Sequence, residues 1–400
     1  MGGGSQQDRR KADATMGEMI FRRSASARVA MIGAGQLARM THQAAIDLDV
    51  DLGVLADSPD DSAVLAGAPW RLGSPNTLAD IEAMAANADV VTFDHELIPG
   101  EHLAKLEALG HRLNPSPAAL ALAQDKLKAR RVLSARGFPL PEFSPVSSPG
   151  EVSEFAEVHG WPVVVKSPSG GYDGRGVHVI ENHAQAAALL GGHPAADATW
   201  LAEQHVELAA ELAILVARTP SGKTAVYPAV QTFQRDGICR YLQIPAELPS
   251  ATLDEATNVA MSIAEEIGAT GILAVEMFVD ASGRLLVNEL ALRPHNSGHI
   301  TIEACETSQF HQHLRAILDW PLGPTTMRGP AATVNLIGES TGADPSQRLP
   351  EALAIPGVHV HLYGKAFRAG RKLGHVTALG RTPGEALGLA QAAAGLLTGS

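Results

Sequence analysis

Through residues 28–120, short unbroken apolar runs alternate with segments of helical period. Arg28–Ile32 (RVAMI), the run DVDLGVLAD ending at Asp57, and ADVVTFDHE read as strands. THQAAIDL, between the first two, reads as a helix. Apolar runs of this length suit strands buried on both faces, and their alternation with helices predicts a small parallel sheet, a Rossmann-like α/β unit. Ligands bind such sheets beyond the strand C-termini, which is where Asp94, His95 and Glu96 fall.

The pattern breaks at NPSP (114–117). AALALAQDKLKARRVLSARG then reads as one helix stopped by Gly137, and GFPLPEFSPVSSPG as a linker. An α+β stretch follows: helix EVSEFAEVHG, strand WPVVVKS, a glycine-rich loop, strand VHVI, helix HAQAAALL, and strands WLAEQHV, ELAILVAR and TAVYPAV. Helix LDEATNVAMSIAEEIG leads into an apolar hairpin, GILAVEMFVD and LLVNELAL, around the turn DASGR. After WPLGP come ATVNLIG, VHVHLYG, FRAGRKLGHVTALG and an alanine-rich helix. The expected division is 28–120, 121–322 and a small β-rich 323–400. Residues 1–27 are polar and aperiodic, and read as a disordered leader or an added extension outside the fold.

Composition narrows the field. With 45% hydrophobic and 18% charged residues the chain is globular. A net charge of −12 argues against nucleic acid as a partner. Cys239 and Cys305 alone imply neither a disulfide framework nor a cysteine-based zinc site. No apolar run approaches the ~20 residues of a membrane span. Without a secretory signal, the expected location is cytoplasmic.

The hairpin carries the most chemistry. If Val279 pairs near Leu285, Glu276 lands close to opposite Glu289. Opposed residues have Cβ atoms roughly 4.5–5.5 Å apart. Two carboxylates that close call for a cation, and Mg²⁺ shared with nucleotide phosphates is one answer, with Asn288 beside it. The plainer reading is two glutamates on an exposed face.

Other motifs add to it. SGGYDGRG (169–176) can bring backbone N–H groups to phosphate, but lacks the Lys-Ser/Thr of a P-loop. Lys166 ends a strand and could hold phosphate as a point charge; a solvated strand-end lysine fits the pattern equally. Lys126, on a helix, reads by itself as solvated. Glu203 could meet an adenine or ribose edge. RPHNSGH (293–299) groups Arg293, His295, Asn296 and His299 for an anionic substrate, with Ser297 a capping residue in the plainer view. Arg368, Arg371, Lys372 and His375 form either a phosphate clamp or a solvated basic turn. GAGQLARM (33–40) is a partial dinucleotide fingerprint, weak for NAD but a good anion site at a helix N-terminus.

Taken together, GAGQLARM, TFDHE, VVVKSPSGGYDGRG, AVEMFV with NELALRPHNSGH, and RAGRKLGH resemble the ATP-grasp superfamily. More narrowly they resemble its N5-carboxyaminoimidazole ribonucleotide synthetases. The resemblance implies an ATP-grasp fold with an N-terminal Rossmann-like domain and a small C-terminal β-rich segment. It implies a homodimer that carboxylates 5-aminoimidazole ribonucleotide with ATP and bicarbonate, through carboxyphosphate, and passes its product to a mutase. ATP would meet Lys126, Lys166, the loop Gly171, Tyr172, Asp173, Gly174, Arg175, Gly176 and Val177, then Glu203, Gln204, His205, Val206, Glu211, Gln234, Asn288 and Glu289. Two Mg²⁺ ions, or Mn²⁺, would sit on Glu276, Glu289 and Asn288. The ribonucleotide would meet Gln36, Leu37, Asp94, Glu96, His295, Asn296, Ser297, His299, Lys365 and Arg371. Tyr172, Asp173, Arg175 and Lys372 would be catalytic. Two positions depart from the family pattern: Gln234 stands where relatives carry histidine, and Asp94 where they often carry glutamate. Rival readings are a formate-dependent glycinamide ribonucleotide transformylase, a biotin carboxylase, a nicotinamide-dependent oxidoreductase, and a non-catalytic nucleotide-binding protein.

Overall fold

The structure, a computed structural model, describes residues 21, 26–167, 176–191, 199–338 and 344–399. Its N-terminal sheet holds β1 (Ala27–Ile32), β2 (Val50–Ala56), β3 (Trp70–Leu72) and β4 (Val90–Phe93), in parallel order β3-β2-β1-β4. The unbroken apolar runs follow from its two covered faces. Val29 and Met31 enter one core, and Ala30 and Ile32 the other. The first core also takes Phe310, Leu314 and Ile317 from helix Gln309–Ile317, an element the sequence pattern did not announce.

A second, antiparallel sheet holds β5 (Phe143–Val146), β6 (Val163–Lys166), β7 (Val177–Ile180) and β8 (Trp200–Gln204), in order β5-β8-β6-β7. β5 corrects the expected linker. Proline cannot donate to a ladder and belongs at a sheet edge, and Pro145 lies in that edge strand. The expected single helix over 118–137 is two, Pro117–Gln124 and Lys126–Ala135. Asp125 takes an extended conformation between them, and its carboxylate accepts from Lys128 N at 2.8 Å, an N-cap that wins over helix continuation.

The largest sheet holds β9 (Leu208–Arg218), β10 (Thr224–Val226), β11 (Val230–Arg235), β12 (Ile238–Ile244), β13 (Gly271–Asp280), β14 (Leu285–Ala291), β15 (Ala331–Ile337), β16 (Val358–Leu362) and β17 (Lys372–Leu379). TAVYPAV, read as one strand, is divided around Pro228 into β10 and β11. The path β14-β13-β9-β11-β12-β15-β17-β16 runs across the junction at 322, so the C-terminal strands extend the central sheet. Among the described residues no helix is long and apolar enough to cross a membrane.

Candidate active site

A cavity of about 1010 Å³ lies between the second sheet and the largest one. Val164, Lys166, Val177 and Val179 line it from one side, and Glu211, Glu276, Asn288 and Glu289 from the other. Gln36, Leu37, Asp94 and Glu96 close a third wall from the N-terminal sheet. Thus residues more than two hundred positions apart meet in one chamber.

The hairpin supplies the floor. Val279 pairs with Leu285 and Glu276 with Glu289, as the pattern suggested. The register shifts between Glu276 and Met277, and Met277 pairs with Val287, so Asn288 is a bulge residue. Neighbouring strand residues point to opposite faces, and a bulge re-aims them. Here it lets both Asn288 and Glu289 reach the cavity. Lys126 Nζ meets Glu289 Oε1 at 2.5 Å, and Lys166 Nζ donates to Asn288 Oδ1 at 3.1 Å. Among the described residues, the one ion-pair partner of Glu276 is His295, its Nε2 3.3 Å from Oε1. Burial, then the charges of Glu289 and Glu211, push the Glu276 carboxyl up to about 7. Yet about a quarter of its side chain (26%) faces the open cavity. Among the described residues no group of three or more His, Cys, Asp or Glu gathers for a metal. The donors present are oxygens in acidic excess, which suits a hard cation whose remaining ligands come from elsewhere.

Behind this floor one carboxylate is met by two cations. Glu203, 3% exposed at its side chain, binds Arg130 Nε through Oε1 and Lys166 Nζ through Oε2, the latter at 2.6 Å. Burial would raise the Glu203 carboxyl, but Lys166 and Arg130 outweigh it and hold it at about 2. Arg130 Nη2 also donates to the Asn288 carbonyl at 2.6 Å, which ties the bulge to the cluster. Gln204, His205, Val206 and Leu208 continue the wall past Glu203. Gln234 hydrogen-bonds Glu211, whose carboxyl burial raises.

On the third wall, both oxygens of Asp94 serve the backbone. Oδ2 accepts from Gly35 N at 2.6 Å and Oδ1 from Ala38 N at 2.9 Å. The anion expected at the N-terminus of helix Gln36–Asp47 is therefore the protein's own. A Cβ on Gly35 would lie 2.5 Å from Asp94 Oδ2, so the glycine of the fingerprint admits Asp94. That removes the geometric basis of the nicotinamide reading. Glu96 Oε2 pairs with Arg293 Nε at 2.7 Å, while its Oε1 is buried without a hydrogen-bond partner among the described residues. Gln36 accepts from Lys365 Nζ, and burial, then Arg371, lower Lys365 to about 8. Lys365 and Arg371 are not among the residues lining the cavity, whereas Lys372 is.

His295, Asn296, Ser297 and His299 also line it, from the turn after β14. Ser297 Oγ lies 2.9 Å from His295 Nδ1. Burial, then Arg293, lowers His295 well below the ordinary imidazole range. Val177 opens β7 directly after the turn residue Gly176, whereas Gly171, Tyr172, Asp173, Gly174 and Arg175 lie outside the described residues.

Comparison with known proteins bears on the family and the fold. Family models match in three consecutive stretches: the ribonucleotide synthetase preATP-grasp domain over 26–124, the ATP-grasp domain over 131–310, and the phosphoribosylaminoimidazole carboxylase C-terminal domain over 331–388. The N5-carboxyaminoimidazole ribonucleotide synthase of Mycobacterium tuberculosis is 47% identical over 357 residues, covering 88% of this chain and 83% of the relative. The chain belongs to the N5-carboxyaminoimidazole ribonucleotide synthase family of ATP-grasp proteins. The family's fold extends to solved structures. The Aspergillus clavatus enzyme complexed with ATP superposes with a TM-score of 0.86 at 32% identity, over 93% of this chain and 98% of that one. Its complex with ADP and 5-aminoimidazole ribonucleotide gives 0.85 at 31%, with 93% and 98% covered.

Within this family frame, Arg130 is the residue that pattern reading missed. It lies four positions after Lys126, hence on the same helix face. That spacing was the available signal.

Proposed function

We propose that this chain is a carbon–nitrogen ligase that carboxylates 5-aminoimidazole ribonucleotide, using ATP and bicarbonate, to N5-carboxyaminoimidazole ribonucleotide. The carrying observation is the single cavity that sets Lys126, Lys166 and the Glu276–Glu289 pair beside the His295–His299 turn.

The nucleotide base lies against Val177, Val179 and the Glu203–Leu208 wall, and its phosphates reach Lys166 and Lys126. Bound Mg²⁺ or Mn²⁺ on Glu276 and Glu289, with Asn288 beside them, would supply charge neutralisation among phosphate oxygens. Bicarbonate oxygen attacks the γ-phosphorus, ADP leaves, and carboxyphosphate forms. Its breakdown releases phosphate and gives CO₂ for attack by the ribonucleotide's exocyclic amine, whose proton passes to phosphate. Lys126 and Lys166 position and neutralise; in phosphoryl transfer these effects do most of the work. Arg293, fixed by Glu96, and the His295–His299 turn face the ribonucleotide, with Lys372 at the junction. Walls on three sides shelter an intermediate prone to hydrolysis. A homodimer in the cytoplasm, handing its product to a mutase, completes the proposal on family likeness.

The test is ADP release with bicarbonate and ribonucleotide varied independently. Stimulation by both is expected; stimulation by neither would overturn the reading. Lys372→Ala should reduce ribonucleotide-dependent turnover more than ATP binding; equal losses would move Lys372 out of the substrate site.

A further inference from the structure

Gln309 is fully buried and uses its whole side-chain amide. Its Oε1 accepts from His295 N at 2.9 Å. Its Nε2 donates to the His295 carbonyl at 2.8 Å and faces His299 Nδ1 at 3.2 Å. The first two partners fix the amide orientation, since a backbone N–H only donates and a carbonyl only accepts. The second hydrogen of Nε2 therefore points at His299 Nδ1, which must carry a lone pair. The backbone makes room for this arrangement: a Cβ on Gly298 would collide with Gln309 Oε1. Gln309 N donates to Thr301 Oγ1 at 2.9 Å, and Thr301 Oγ1 donates to the Gly298 carbonyl at 2.6 Å, closing the turn around it. The His299 ring is also held by stacking, 4.9 Å from His375 and 5.9 Å from Phe310.

We infer that Gln309 is a positioning residue that fixes His299 as a neutral imidazole with its proton on Nε2, making it a hydrogen-bond donor to the cavity and not a base. His299 lines the cavity, and its Nε2 has no hydrogen-bond partner among the described residues. Burial holds its ionisation down at about 3, so the neutral form persists at working pH. The ligand class is an anionic oxygen, of bicarbonate or of the ribonucleotide; that identity rests on the proposed carboxylation, while the tautomer does not. The amine proton of the reaction must then go elsewhere, and the departing phosphate is the acceptor named above.

Ring-nitrogen NMR of ¹⁵N-histidine-labelled full-length protein tests the tautomer, with His299 assigned by its loss in His299→Gln. Nε2 protonated and Nδ1 bare across neutral pH is expected; Nδ1 protonated, or an imidazolium, would overturn the proposal. In folded Gln309→Met the Nδ1 signal should move toward the protonated range. An unchanged tautomer there would remove Gln309 from the role. The kinetic arm holds even where Gln309→Met does not fold. His299→Gln keeps an N–H donor and should stay within about 10-fold of the parent, whereas His299→Phe should lose a further ~10- to 100-fold in kcat/KM. A KM rise for bicarbonate or for ribonucleotide names the acceptor; equal losses in both variants would contradict the donor role. A parent that releases no ADP with these substrates would sink the carboxylation reading and leave the NMR result standing.

Discussion

Glu203 and Glu276 are both carboxylates set into the wall of one cavity, yet their surroundings are opposite. Glu203 is matched by two cations, Arg130 and Lys166, and is held at about 2. Glu276 faces Glu289 and Glu211, is met among the described residues by a histidine but no Lys or Arg in ion-pair contact, and is pushed to about 7. A buried charge is tolerated when paired and costly when not. The first site is therefore complete without a ligand and holds Lys166 in place. The second carries acidic excess that Lys126, paired with Glu289, offsets only in part, the signature of a place where a cation arrives with the substrate.

The largest effect that sharpens this contrast concerns Glu289. Glu289→Gln should lower ADP release by about 100- to 1000-fold while the melting curve stays cooperative. Near-normal turnover at low Mg²⁺ would erase the distinction. Next, Glu203→Gln leaves Arg130 and Lys166 short of their anion and should cost about 3–5 kcal/mol in urea unfolding. Glu203 also predicts an acid limb. Its folded pKa lies below the ordinary carboxylate value, so its stabilisation is present above about 4.5 and is lost as pH falls toward 2. Removing that limb is the second readout of Glu203→Gln. Smaller still, Asp94→Ala frees the N–H groups of Gly35 and Ala38 and should cost about 1–2 kcal/mol. A loss confined to substrate affinity, with stability intact, would place Asp94 with Glu276 instead of Glu203.

Much of this was legible in the sequence for identifiable reasons. Unbroken apolar runs marked strands covered on both faces, and the turn DASGR with its flanking strands gave the hairpin pairing of Val279 with Leu285. What the sequence hid was long-range satisfaction. GAGQ looks like an open anion site until Asp94, 59 positions away from Gly35, is seen to fill it. Glu203 looks like a ligand contact until Arg130 appears, 73 positions earlier. The Asn288 bulge was likewise invisible, because a strand of period two aims Asn288 and Glu289 to opposite faces. Helix Gln309–Ile317 escaped notice since its buried face includes Gln309, Gln312 and His313, polar residues satisfied only in the fold.

The most direct measurement of the central claim is thermal melting of Glu276→Gln beside the parent, with and without Mg²⁺–ADP. Relief of like-charge repulsion predicts that the ligand-free variant melts higher by about 1–3 °C. It should also lose most of the stabilisation that Mg²⁺–ADP gives the parent. A variant that melts lower without ligand, or gains as much from Mg²⁺–ADP, would contradict the account.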